Sequence, residues 1–313
     1  MSDIQRAKAD FLFGVSMHVP GNDIRRLATC AENVAADFLV VTADEKVALL
    51  EPAMVLAYLA PRTTFGLVAE FDVTYAEPFF TSRALATLDH VATGRVAWQL
   101  KIDASEESAR RRGLPAPLPP GELTDRIVEF TNVIRDLWDS WEDDAIVRDK
   151  ARGIFIRADR VHHLNHAGRY FAVRGPATLP RPPQGHPPTF VTLTDDAQSR
   201  RLAQAVGELL RLRTTSVDEV RAARKEFPEA RIVVDIPFIS LSDTLTVLDT
   251  ISDVAHGIIV DIDSEKIGEA TILTIGDELA NRGLRDLAPR SGTLRQRLGL
   301  SPAVNRLAVE RVS

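Results

Sequence analysis

The chain has 313 residues, with 38 Lys+Arg against 44 Asp+Glu, a formal charge of −6, 45% hydrophobic and 26% charged residues. That is ordinary globular composition, and the length permits one large domain or two medium ones. The acidic balance argues against nucleic acid as a partner; a single cysteine, Cys30, excludes an internal disulfide framework and a cysteine-built zinc cluster; and no apolar stretch of about 18 residues is present to span a membrane.

Short β-rich runs alternate with amphipathic segments along the chain. The polar start, MSDIQRAKAD, reads as no signal peptide, so a cytoplasmic protein is expected. Strands are predicted at Phe11–Met17, Phe38–Thr42, Phe65–Phe71, Arg95–Ile102, Thr189–Leu193, Leu209–Arg213, Arg231–Ile236 and Gly257–Ile262. Helices are predicted at Asp23–Ala36, Glu45–Ala60, Pro78–Val91, Leu123–Trp141, Asp196–Gly207, Val217–Phe227, Ser242–Val254 and Glu265–Arg282. In the fourth, Ile127, Phe130, Ile134, Leu137, Trp138 and Trp141 fall on one helical face. Strand then helix, repeated around a ring, is the pattern of a (β/α)8 TIM barrel. One such domain over 1–313 is expected, with a polar C-terminal tail from about residue 290.

Two stretches interrupt the alternation. Arg111–Gly121 (RRGLPAPLPPG) is too rich in proline for a regular helix. Asp143–Pro188 is far longer than an ordinary barrel loop. Chemistry in such a barrel sits at the C-terminal ends of the strands. No glycine-rich phosphate loop and no nucleophile elbow is present. His162, His163 and His166 stand close in sequence, but flanking Arg160 and Arg169 favour a hydrogen-bonded loop over a metal site. Asp195 and Asp196 follow the fifth strand and suit a helix N-cap better than a carboxylate pair for acid/base work. Asp261 and Asp263, two apart at a strand end, share one side of it. Trp138 and Trp141 read as packing residues, Trp98 as facing either the bore or the helices, and Arg110–Arg112 as a solvated helix end or an anion contact.

Four segments carry a more specific signal: LWDSWEDDAIVRDKARGIFIRADRVHHLNHAGRYFAVRGPATLPRPPQGHP (137–187), TYAEPFFTSRALATLDHVATGRVAW (74–98), FLVVTAD (38–44) and GTLRQRLGLSPAVNRLA (292–308). Together they resemble the flavin-dependent monooxygenases of the bacterial luciferase-like superfamily, in particular the nitrilotriacetate monooxygenase component A group. The resemblance covers most of the chain and implies a luciferase-like (β/α)8 barrel with reduced insertions. It further implies reduced FMN from a separate NADH:FMN reductase, oxygenation of a small organic substrate, and pairing as a homodimer or with a paralogue.

The family positions that contact the cofactor fall on Asp44, Asp72, Gln99, Ile102, Thr124, Asp195 and Asp196, and several are substituted. The family's H-x-x-x-Y ahead of a Glu-Phe pair, here Glu129–Phe130, becomes Pro120 and Thr124. Its Gly-Ser-Ser phosphate turn becomes Thr194, Asp195 and Asp196. Its W-N-x-V-T-S becomes Trp98–Gln99–Leu100–Lys101–Ile102–Asp103, which places Ile102 where a threonine meets the flavin. Carboxylates facing a phosphate repel it. The chain also lacks an insertion near the seventh strand that, in the family, shields the site from water. The resemblance therefore implies either an FMNH2-dependent oxidoreductase or a repurposed, non-catalytic barrel that has lost the phosphate site. A deazaflavin enzyme is a third reading. Catalytic residues stay unassigned, and no metal is expected.

Overall fold

The computed structural model of the chain describes residues 11–18, 24–42, 50–262, 269–286, 288 and 290–309. Eight parallel strands close a barrel. They are β1 (Leu12–His18), β2 (Phe38–Thr42), β3 (Gly66–Asp72), β4 (Val96–Lys101), β9 (Thr189–Leu193), β10 (Leu209–Leu212), β11 (Arg231–Pro237) and β12 (Gly257–Ile262). Each follows its predecessor around the ring, and β12 pairs with β1 to seal it. The eight strand predictions hold to within two residues at each end.

Helices α1 (Ile24–Asn33), α2 (Pro52–Leu59), α3 (Pro78–Val91), α5 (Pro120–Asp139), α6 (Ala197–Val206), α7 (Val217–Glu226), α8 (Leu241–Ile251) and α9 (Glu269–Asn281) surround the barrel. The predicted helix starts at Asp23, Glu45 and Glu265 lie outside the described residues. The proline-rich interruption needs a correction. A short α4 (Glu106–Arg111) precedes it, and α5 runs back to Pro120. Proline at the first helical position loses no bond, because that N–H has no intrahelical partner. Trp141 lies beyond the helix end and donates from Nε1 to Ala177 O at 2.8 Å.

Strand alternation explains why these strands read as continuous apolar runs: both faces are covered. One face points outward. Phe13, Leu39, Leu67, Trp98, Leu210, Ile232 and Ile258 pack beneath the helices. Trp98 accordingly faces the helices, against Phe130 of α5. The other face fills the lower bore with Leu12, Phe38, Val40, Val68, Phe190, Val233 and Ile259. Phe38 and Phe190 meet edge to face at 5.5 Å.

The C-terminal tail closes the bottom of this bore. It forms α10 (Leu294–Arg297), with a Thr293/Gln296 capping box, and α11 (Arg306–Val309). Leu294 and Leu298 join the bore cluster. Gly66 makes room for the plug, since a Cβ there would lie 2.5 Å from the Leu294 side chain. Arg295 pins the plug: its guanidinium donates to His186 O and to Glu208 Oε1 at 2.7 Å, and its N–H to Gln184 Oε1 at 2.7 Å.

The long 143–188 connection holds two hairpins, β5 (Ile146–Asp149) with β6 (Ile154–Ile156), and β7 (His166–Ala167) with β8 (Ala172–Val173). Its histidines are separately engaged. His162 pairs with Glu142 at 2.7 Å, His166 with Glu129 at 3.0 Å, and His163 with Gly175 O. Among the described residues no three His, Cys, Asp or Glu side chains group to hold a metal. Among the same residues, no helix is long and apolar enough to cross a membrane.

Truncating the plug removes apolar contact at the centre of the floor. Leu294→Ala should cost about 2–5 kcal/mol in urea denaturation; a loss under about 1 kcal/mol would mean the tail does not fill the bore. A second prediction concerns acid. His256 Nδ1 accepts from Ile232 N–H, and burial, with Arg224 and Arg231, drops its pKa to about 4. The unfolded chain therefore takes up a proton first as pH falls from 6.5 to 4, and stability drops in that window. Asp89, raised to about 6 by burial, acts in the opposite sense between pH 6 and 3.8. His256→Asn, which keeps an acceptor for Ile232, removes the His256 contribution and leaves those of the other groups, Asp89 among them, common to both proteins. The stability gap between wild type and variant should narrow from pH 7 to pH 4.5 in urea midpoints; a constant gap would show that His256 is not held neutral.

Candidate active site at the barrel mouth

The residues that line the lower bore continue upward at every second position. Above Val68 comes Glu70, above Ala97 come Gln99 and Lys101, and above Phe190 comes Thr192. Above Leu209 comes Arg211, above Val233 comes Asp235, and above Ile259 comes Asp261, level with Ser16. The same alternation that makes the bottom apolar makes the C-terminal half polar.

Arg211 and Asp235 form a two-pronged ion pair, Nε to Oδ1 at 3.1 Å and Nη2 to Oδ2 at 2.9 Å. Both are almost fully buried, and burial lifts the Asp235 pKa despite the guanidinium. Lys101 Nζ lies 3.8 Å from Glu70, and Arg213 3.8 Å from Asp261. Gln99 is 2% exposed and donates to Thr192 Oγ1 at 3.2 Å, while Thr192 itself is exposed. The remaining acceptors matter most. Gln99 Oε1 and Asp261 Oδ1 are buried without a hydrogen-bond partner. A buried acceptor left unmet costs about 1–3 kcal/mol. Other buried atoms, such as Trp98 Nε1 and the Tyr170 hydroxyl, are unmet as well, but these two lie at the mouth, where a ligand's N–H or O–H can reach them.

The positions expected to meet a cofactor are only partly brought together. Gln99 lies at the heart of the mouth. Asp72 sits exposed at the end of β3, accepting from Thr74 N–H at 2.9 Å. Ile102 packs into the helix layer. Thr124 is buried, and its hydroxyl donates to Pro120 O at 2.7 Å within its own helix. Asp196 is the N-cap of α6, accepting from Ser199 N–H at 2.9 Å and from the Thr194 hydroxyl, which together lower its pKa. Asp195 is fully exposed beside Arg200. Asp44 and Asp263 lie outside the described residues. Arg111 is turned to Asp103 and Glu107. Glu70, Thr192, Arg211 and Asp235 were not among the residues expected at the site. A signal for two of them was there: LLRL and IVVDI each carry one charge at a bore-facing position.

The FMN fit divides in two. At the ring end, buried unmet acceptors suit a ligand edge that bears N–H donors. At the phosphate end the residues do not fit. Helix α5 begins with Pro119 and Pro120, which have no N–H to give, and α6 begins with a carboxylate that already takes the free amide. The β11–α8 connection is only Phe238 to Ser240, so no insertion covers the mouth from that side.

A family model described as luciferase-like monooxygenase matches residues 11–249. Nitrilotriacetate monooxygenase component A of Aminobacter aminovorans is 43% identical over 169 residues, 54% of this chain and 37% of that one. Dibenzothiophene-sulfone monooxygenase of Rhodococcus erythropolis is 41% identical over 44% of this chain and 31% of that one. The match thus spans about a third of the length of these relatives. A subunit of the pristinamycin IIA synthase of Streptomyces pristinaespiralis is 32% identical over 91% of both chains. Among solved structures, a long-chain alkane monooxygenase superposes with a TM-score of 0.81 at 18% identity, covering 92% of this chain and 95% of that one. EDTA monooxygenase from Chelativorans sp. BNC1 gives 0.78 at 19% identity, covering 93% and 98%. At such identities these two structures speak for the barrel alone.

The buried ion pair is the element of this mouth most open to direct test. Arg211→Leu leaves Asp235 charged and alone, and should cost about 3–5 kcal/mol. Adding Asp235→Leu should recover most of that loss, giving a strongly non-additive double-mutant cycle in urea. Additive costs would mean that the two side chains do not act as a pair.

Proposed function

The chain belongs to the luciferase-like monooxygenase family, and from that premise we propose that it is the oxygenase barrel of a two-component system. In this reading a separate NADH:FMN reductase supplies reduced flavin, and a small organic substrate is oxygenated at the barrel mouth. The pair of buried, unmet acceptors, Gln99 Oε1 and Asp261 Oδ1, carries the reading. A flavin supplies the oxygen-activating chemistry when bound. The protein's part is to meet the ring edge with Gln99 and Asp261 and to hold a fixed field through Arg211–Asp235. The phosphate end does not fit, so binding in this reading is carried by the ring.

A second reading is favoured by the phosphate end itself. Asp195, Asp196, Pro119 and Pro120, with the short β11–α8 connection, suit a non-catalytic barrel that pairs with an active paralogue. The relative matched over 91% of both chains is itself named as one subunit of a synthase. Exposed Met54 and Tyr58 on α2 and Phe80 on α3 offer apolar surface to a second barrel, whether a copy or a paralogue. A cytoplasmic location belongs to both readings.

Titration with FMN and with riboflavin, oxidised and anaerobically reduced, separates them. Ring-driven binding predicts dissociation constants within about threefold of each other, because a phosphate clamp of charge-assisted bonds is worth a factor of about ten or more. Asp195→Ser with Asp196→Ser, which keeps a capping oxygen, should shift preference toward FMN. A strong FMN preference in the wild type would overturn the reading of the phosphate end. Failure of both flavins to bind in either state would overturn the oxygenase reading and leave the partner-subunit one, for which complex formation with an active paralogue in sedimentation is the check.

A further inference from the structure

Beneath the barrel, at its N-terminal face, lies a cavity of about 840 Å³ that the flavin reading does not use. That is within the usual range for small-ligand pockets, about 300–1,000 Å³. Its described lining holds four guanidiniums, Arg224, Arg231, Arg290 and Arg297, with His256 and a single carboxylate, Asp253. The chain as a whole has a net charge of −6, so this concentration of positive charge runs against its overall balance.

The four arginines are not equivalent. Arg290 is answered from behind by Asp37 at 3.2 Å, and Asp37 and Glu32 act on Arg297 as well. Arg224 and Arg231 have no carboxylate within 4.0 Å among the described residues. Their contacts are to backbone carbonyls. Arg224 Nη1 donates to Val254 O at 2.8 Å, while Arg231 donates from Nε to Leu298 O and from Nη2 to Gly299 O, both at 2.8 Å. Those bonds fix the Arg231 plane and bring it no carboxylate. Gly299, at φ +66°, makes the arrangement possible: a Cβ there would sit 2.1 Å from Arg231 Nη2. His256 adds a third donor. Its Nδ1 is taken by Ile232 N–H, so the neutral ring carries its proton on Nε2.

We propose that this cavity is a binding site for a compact oxyanion, the phosphate or carboxylate group of a small metabolite, held by Arg224 and Arg231 with His256 as a neutral donor. Two guanidiniums with no carboxylate within 4.0 Å among the described residues match the planar, two-pronged bonding of phosphate and carboxylate. Burial above all, and then the charges of Arg224 and Arg231, hold the His256 pKa down. The ligand would lie against the carbonyl-bound tail that plugs the bore, at the far end of the barrel from the mouth.

Calorimetry on the full chain at constant ionic strength, with inorganic pyrophosphate and with citrate as probes, tests this. Saturable one-to-one binding is expected, together with an upward move of the His256 pKa followed by NMR of its ring. Tighter pyrophosphate than citrate identifies a phosphate ligand, and the reverse a carboxylate one. Arg224→Gln, which gives up one backbone contact, should weaken binding about tenfold or more, and Arg224→Lys should recover part of it. Absence of saturable binding by either probe would overturn the proposal. So would binding that neither moves the His256 titration nor responds to Arg224→Gln.

Discussion

A closed barrel of eight parallel strands has an interior that must be filled from its own alternate side chains, and everything else in this protein follows from how that is done. The lower half is filled with Phe38, Val40, Val68, Phe190 and Ile259, and the remaining opening is stopped by Leu294 and Leu298 from the tail. Because both faces of every strand are covered, exchanging an inward for an outward residue would misplace a whole layer. The tail is therefore part of the core, although its sequence is polar. Its apolar residues are few but meet the one gap that the strands leave.

Three carboxylates tie the connections to the barrel. Asp139 accepts from His186, Arg181 and the Arg306 N–H, tying the 143–188 connection and the tail to the end of α5. Asp89 accepts from Val96 N–H and Gln184, and Gln184 in turn accepts from Arg295. Glu129 accepts the backbone N–H groups of Arg169, Tyr170 and Phe171 and so fixes the long connection against α5. Gln99 Oε1 and Asp261 Oδ1 share the lack of a partner with atoms elsewhere, such as Trp98 Nε1 and the Tyr170 hydroxyl, but these two lie at the mouth.

The two ends of the barrel divide stability and binding less cleanly than the architecture leads one to expect. The mouth carries its own buried ion pair, Arg211–Asp235, which binds β10 to β11 as much as it shapes a site. The floor carries Arg231, which holds the tail by the carbonyls of Leu298 and Gly299 and has no carboxylate within 4.0 Å among the described residues. One guanidinium has enough donors to do both: five N–H groups, of which two suffice to hold a strand or tail in place.

Much of the architecture was legible in the residues. Short β-branched runs separated by amphipathic segments have one economical closure, and the eight predicted strands became the eight of the barrel. The capping role of Asp196 and the packing role of Trp138 were readable for the same reason: each rests on neighbours within one turn of helix. The start of α5 was misjudged because proline is excluded from a helix interior but not from its first position. What the sequence determined by itself was periodicity, and with it the order of elements along the chain and which side chains share a face, though not whether the face of Trp98 is the bore or the helix layer. What only the tertiary structure decided was partnership across the bore: Arg211 with Asp235, Leu294 against Gly66, and the isolation of Gln99 Oε1. These depend on strand register and on a tail that returns across the whole chain, and local periodicity carries no information about distances between residues so far apart.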